Sequence, residues 1–99
     1  MTKVKTILDQ FNIPKEMRYP EEMENVDIGK HTFTDMEEKD DGYVLEFTSK
    51  NDPNTILRLN DDRMAVVLLE IQDDDMVKAT SWRMGKKFTR KFTREEMHL

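Results

Sequence analysis

Helical spacing of apolar residues is clear at only one place in this chain of 99 residues, its beginning. Val4, Ile7, Leu8 and Phe11 follow the i, i+3, i+4, i+7 pattern, which predicts an amphipathic helix over residues 3–13 that Pro14 keeps from extending. Residues 14–29 show no period. Within them Pro20-Glu21-Glu22-Met23 can open one helical turn, because proline suits the first helical position and Glu suits the positive end of the helix dipole. The remainder reads as an ordered connector.

From Lys30 the pattern changes to strands and tight turns. Thr32–Glu37 alternates weakly, and Lys39-Asp40-Asp41-Gly42 is a hairpin signal. Tyr43–Lys50 alternates well, with Tyr43, Leu45 and Phe47 on one face and Val44, Glu46 and Thr48 on the other. Asn51-Asp52-Pro53-Asn54 turns into a short strand at Thr55–Leu59. Asn60-Asp61-Asp62-Arg63 leads into Met64–Gln72, and Asp73-Asp74-Asp75 into Met76–Met84. Successive short turns imply that neighbouring strands pair antiparallel, as a meander.

Met64–Gln72 is the most informative strand. Ala65, Val67, Leu69 and Ile71 occupy one face, and Met64, Val66 and Leu68 the other. A strand apolar on both faces belongs at the centre of a sheet covered on both sides. The N-terminal helix can cover one side. The C-terminal segment, the 14–29 connector or a second protein molecule must cover the other, and any part left open is a binding surface.

At the C-terminus, Phe88, Arg90 and Phe92 alternate as a strand, whereas Phe88, Phe92 and Leu99 share a helical face. Thr93 and Glu96 have capping-box spacing. An extended segment to about Phe92, followed by a short helix, reconciles these signals. The expectation is one α+β domain, in which a short N-terminal helix packs on a four- to five-stranded antiparallel meander with a short C-terminal helix or arm. Residues 1–29 form the helix and connector, 30–85 the sheet and 86–99 the basic C-terminal segment. The expected core is Ile7, Leu8, Phe11, Leu45, Phe47, Leu57, Leu59, Val67, Leu69 and Ile71.

Composition adjusts this picture in two ways. Hydrophobic residues are 36% and charged residues 37% of the chain, a mixture that permits partial disorder; the strand periodicity argues against it for the middle of the sequence. Charge is also unevenly placed. Residues 1–76 hold nine basic and nineteen acidic side chains, whereas residues 77–94 hold seven basic ones and no acid. A positive patch beside a negative body bears on partners more than on fold.

The chemistry-bearing residues are sparse. There is no cysteine, which excludes disulfides, thiolate metal sites and thiol nucleophiles and fits a reducing compartment. Two histidines, His31 and His98, and two serines, Ser49 and Ser81, carry no nucleophile motif. The carboxylates Asp35, Glu37, Asp40, Asp41, Asp61, Asp62 and Asp73–Asp75 fall mostly in turns, where Asp bonds nearby backbone N–H groups. No EF-hand, zinc or phosphate-loop spacing is present. The expectation is no catalytic residue, no metal and no cofactor. The longest apolar run, Ala65–Leu69, is far below the roughly 20 residues that span a bilayer, and no secretory signal is visible. A cytoplasmic location without membrane contact follows as an expectation.

The basic strip with its aromatics remains: Lys78, Trp82, Arg83, Lys86, Lys87, Phe88, Arg90, Lys91, Phe92 and Arg94. Lys and Arg can neutralise phosphates, and exposed Trp or Phe can stack on unpaired bases. Yet a dedicated nucleic-acid domain is usually basic, and this chain carries a net charge of −5. The strip can equally meet an acidic protein or the chain's own acidic body. The acidic residues Glu16, Glu21, Glu22, Glu24 and Asp27 invite the mirrored idea of nucleic-acid mimicry, against the plainer role of keeping the protein dissolved. Small size, eight methionines and dense charge resemble short phage-encoded regulators or inhibitors in style, and no motif points to a named family. The leading expectation is a small non-enzymatic regulatory or inhibitory module that binds a protein. Nucleic-acid binding through residues 77–94 is the alternative, and a homodimer on the second face of the central strand would also satisfy the sheet.

Overall fold

A computed structural model describes residues 2–18, 20–39, 44–60 and 65–99, apart from the side chain of Asn60. Most of two expected turns, 40–42 and 61–63, lies outside the described residues, as do Tyr43 and Met64.

Helix α1 spans Val4–Gln10 and buries Val4, Ile7 and Leu8. It stops short of the expected Ile13 because Asn12 adopts a left-handed conformation at φ 57°. The Asn12 N–H then donates to Asp9 O (3.2 Å) and the Ile13 N–H to Leu8 O (3.0 Å), a Schellman closure that returns Ile13 to the core. Helix α2 is the single turn Glu21–Glu24, with Pro20 as its N-cap. Arg18 ties the two together, bonding Asp9 and the Ile13 carbonyl (2.8 Å) and approaching Glu24 at 3.8 Å. The connector then runs back along the N-terminus: Thr2 N–H donates to Gly29 O, and Val4 N–H to Val26 O.

Among the described residues six strands follow: β1 Phe33–Glu38, β2 Val44–Ser49, β3 Thr55–Asn60, β4 Ala65–Ile71, β5 Val77–Arg83 and β6 Lys86–Phe92. They form one antiparallel sheet in chain order. The meander is as expected, but the strand count exceeds four or five. Thr32–Glu37 pairs despite its weak alternation, because an edge strand needs to bury little on either face, and Lys86–Phe92 is a full ladder partner of β5. The β5–β6 turn was absent from the sequence expectation. Met84 and Gly85 both take positive φ (50° and 76°), the backbone of a type I′ turn, and glycine at the second position makes this cheap.

Register sorts the side chains. Leu45, Leu59, Val66 and Trp82 form one row across the sheet, and Phe47, Leu57, Leu68 and Thr80 the next. Val4, Ile7, Leu8, Ile13, Met23 and Ile28 cover these rows, so α1 and the connector together make one layer. On the opposite face Leu69, Val77 and Ala79 are buried, with Ile56, Val67, Ile71, Phe92 and Met97 packed against them. The cover there is the C-terminal segment. Its expected helix is only a run of hydrogen-bonded turns at residues 94–98. The capping box is realised: Thr93 N–H donates to Glu96 Oε1 (3.0 Å) and Glu96 N–H to Thr93 Oγ1 (3.1 Å). His98 at φ 57° then closes the segment, with Leu99 N–H donating to Arg94 O (2.9 Å).

Strand β4 is central and largely covered on both faces. Of the expected core, Phe11, Val67 and Ile71 are only half-buried and the other seven are buried. No helix among the described residues is long and apolar enough to cross a membrane.

Asp52 fixes the turn into β3. Its carboxylate accepts the Thr55 hydroxyl (2.7 Å) and the Asn54 N–H (2.9 Å), and these two bonds hold its pKa below the usual 3.8. A depressed folded pKa contributes stability that is present above the unfolded value and lost as pH falls through the folded one. Asp52→Ala should therefore cost about 1 kcal/mol at neutral pH and less in acid. Urea unfolding at about pH 6 and about pH 3 checks this: a variant equally destabilised at both would contradict it.

Candidate partner-binding groove

A strand alternates its side chains, so the basic strip cannot present all its charges on one side. Register places Lys78, Trp82, Lys87 and Lys91 on the helix-covered face, and Arg83, Lys86, Phe88, Arg90 and Phe92 on the other. Arg94 follows the last strand.

The helix-side group is largely engaged. Trp82 is half-buried against the core, and Lys87 Nζ lies 5.9 Å from its ring centroid. The indole also lines a cleft of about 370 Å³ beside Met23, Val26 and Val66. Lys78 sits opposite Glu70 in the ladder. Lys91 reaches Asp74 at 3.5 Å, and Arg94 reaches Asp75 at 2.7 Å. Those two cations balance the acidic 73–75 turn. The Asp74 carboxyl is held below its usual value, first by the Met76 N–H.

The C-terminal turns leave part of the other face open. Val67, Ala79, Ser81, Phe92 and Met97 floor and wall a groove of about 880 Å³, edged by Phe88, Met84, Arg83, Lys86 and Arg90. Phe88 is 51% exposed and Met84 89%, so two large apolar side chains stand in solvent beside three cations. Among the described residues those three cations make no ion pair. The C-terminal turns close one end of the groove. They are anchored by Arg58, whose guanidinium bonds Glu46 through Nε and donates to Met97 O through Nη1 (2.8 Å). Lys39 lies 3.3 Å from Glu46, and that hydrogen bond is the main reason its pKa is raised.

Val67, Ala79, Ser81, Met84 and Met97 escaped the sequence reading as site residues. The alternation of β4 and β5 contains the first three, but only the register shows that they share a face with Phe88. The Arg58–Glu46 anchor has no signal in sequence, the two residues being twelve apart on neighbouring strands.

Elsewhere the reactive side chains are scattered. Among the described residues Ser49 Oγ is buried without a hydrogen-bond partner. Ser81 is half-buried in the groove wall, His31 is half-buried beside Phe33, and His98 is exposed. Among the described residues no three His, Asp or Glu side chains gather as an ion-binding group. No family model, no curated protein and no solved structure matches this chain.

Proposed function

We propose that this protein is a small non-catalytic regulatory or inhibitory module that works in the cytoplasm by docking a segment of another protein. The occupant is acidic and carries apolar anchors. One observation supports this above others: an apolar groove rimmed by Arg83, Lys86 and Arg90, on a chain whose net charge is −5. Apolar contacts in the floor supply affinity, and the rim charges select an acidic partner and speed its approach.

Nucleic-acid binding through residues 77–94 is the second reading, and the exposed Phe88 beside cations favours it. Against it, the strip is divided between two faces, Trp82 belongs to the other face, and Lys91 and Arg94 already pair with Asp74 and Asp75. No single surface then combines a phosphate track with several stacking platforms.

Two variants separate these readings. One carries Arg83→Gln, Lys86→Gln, Arg90→Gln and Phe88→Ala in the groove. The other carries Lys78→Gln and Lys87→Gln on the opposite face. In affinity capture from the native host, the first should lose the retained partner protein and the second should keep it. Oligothymidine and duplex DNA serve as nucleic-acid probes. Binding of oligothymidine by the parent at physiological salt, with the log K against log salt slope reduced by about 2 units in the groove variant, would overturn the protein reading.

A further inference from the structure

The two outer strands of the sheet carry opposite charge. β1 holds Asp35, Glu37 and Glu38 and no base, whereas β6 holds Lys86, Lys87, Arg90 and Lys91 and no acid. Among the described residues each pairs on one side only, so alternate backbone groups of each strand face outward.

Register identifies those groups. Gln72 N–H donates to Met76 O (2.8 Å), which sets the alternation along β4 and β5. Val77, Ala79, Ser81 and Arg83 consequently bond toward β6, through Phe92, Arg90, Phe88 and Lys86. Lys87, Thr89 and Lys91 point their N–H and C=O outward. On β1, Lys39 N–H donates to Val44 O (3.0 Å), so Glu37 and Asp35 bond inward and Met36 and Glu38 face outward. Both outward sets place their side chains on the helix-covered face, since Met36 pairs with Phe47 and Lys87 with Trp82. In a six-stranded meander β1 and β6 run in opposite directions. A second copy displaced along the sheet therefore offers its β1 to β6 antiparallel, with the faces matched.

We propose that β6 of one molecule pairs with β1 of a second copy, with Glu38 opposite Lys87, Met36 opposite Thr89 and Asp35 opposite Arg90. Opposite charges across the ladder favour this pairing, while two β1 edges or two β6 edges repel. Charge on an edge normally prevents association; here it blocks the like pairs and permits the unlike one. The contact is head-to-tail and can continue from copy to copy. It is also short. A bulge between Phe33 and Asp35, and Gln10 Nε2 bonded to Phe33 O (3.0 Å), guard the start of β1. The association is accordingly weak and sensitive to salt.

Sedimentation equilibrium of the full chain over a wide concentration range tests it. The parent should show a mass rising with concentration at low ionic strength and returning to the monomer at about 0.5 M salt. Lys87→Glu with Arg90→Glu puts acid on both sides of the pairing, opposite Glu38 and Asp35, and Asp35→Arg with Glu38→Lys puts base on both sides. Each double variant alone should stay monomeric, and an equimolar mixture should recover the association. Thr89→Pro removes one outward N–H without touching the charges and should also give monomer. Glu16→Lys with Glu21→Arg, away from both edges, should associate like the parent. In the concentrated parent, amide exchange should slow at Lys87, Thr89, Met36 and Glu38, a readout that needs no variant. A parent that remains monomeric, a Thr89→Pro protein that associates normally, or a mixture that fails to recover overturns the proposal. So does a Thr89-dependent capture of a foreign acidic segment by a parent that never self-associates, because it gives β6 to another protein.

Discussion

Replacing Phe47 by alanine should destabilise the protein by about 3–5 kcal/mol, a large share of the roughly 5–15 kcal/mol that holds a domain of this size folded. The Phe47 ring is fully buried in the middle of the helix-covered face. Met36 and Leu57 flank it across the ladder, and Phe11 of the helix terminus leans on it at 5.2 Å with the planes tilted by 57°. Truncation leaves a cavity beneath α1 and removes an aromatic pair worth about 0.5–1.5 kcal/mol on its own. The surroundings cannot collapse easily, because the sheet below and the Schellman closure above both fix backbone. Phe47→Leu keeps most of the volume and should cost substantially less. Urea unfolding monitored by circular dichroism measures both. A Phe47→Ala protein with the parent's midpoint would mean that α1 does not pack there.

Strand pattern was the legible part of this chain. Alternation located Leu45 and Phe47 on the core face. The two-faced apolar run at Ala65–Ile71 placed β4 at the centre, and Thr93 with Glu96 announced a capping box that forms. What the sequence conveyed only in part was cover. Met23 and Ile28 lie in a stretch without period, and Ile13 ends the expected helix off its apolar spacing, so nothing marked them as core, yet they complete the layer over the sheet. Met23 and Ile28 are buried because hydrogen bonds along the N-terminus fold the connector back, and Ile13 because the Schellman closure turns it inward, neither of which has an apolar period to announce it. β1 shows only weakly for the opposite reason: an edge strand with five exposed residues has little apolar alternation to show. The basic strip was legible as a run of residues and misleading as a surface. Strand geometry divides it, two of its cations are spent on Asp74 and Asp75, and the remainder acquires meaning only beside Val67, Ala79 and Met97, which come from other elements.

Arg58→Ala should be the most damaging polar substitution, costing about 2–3 kcal/mol. Its side chain is 18% exposed and that of Glu46 12%, so both groups are largely removed from water. Breaking a fully buried pair costs about 3–5 kcal/mol, mostly from the charge left without a partner. Partial exposure here, and Lys39 at 3.3 Å from Glu46, lower that figure. Arg58→Ala combined with Glu46→Ala should recover part of the loss, since no carboxylate is then stranded. Arg58→Lys should not substitute well, because one ammonium cannot reproduce the planar fork that reaches both Glu46 and the Met97 carbonyl. The consequence extends to the groove. Without that anchor the C-terminal turns loosen, Met97 leaves the Leu69, Val77 and Ala79 cluster, and the closed end of the groove opens. Hydrogen exchange reads this directly at the Met97 and Leu99 amides, which donate to Thr93 O and Arg94 O. Both should exchange faster in Arg58→Ala by more than the global loss of stability explains. Equal rates in variant and parent, after correction for that loss, would show that the C-terminal turns hold their place without Arg58.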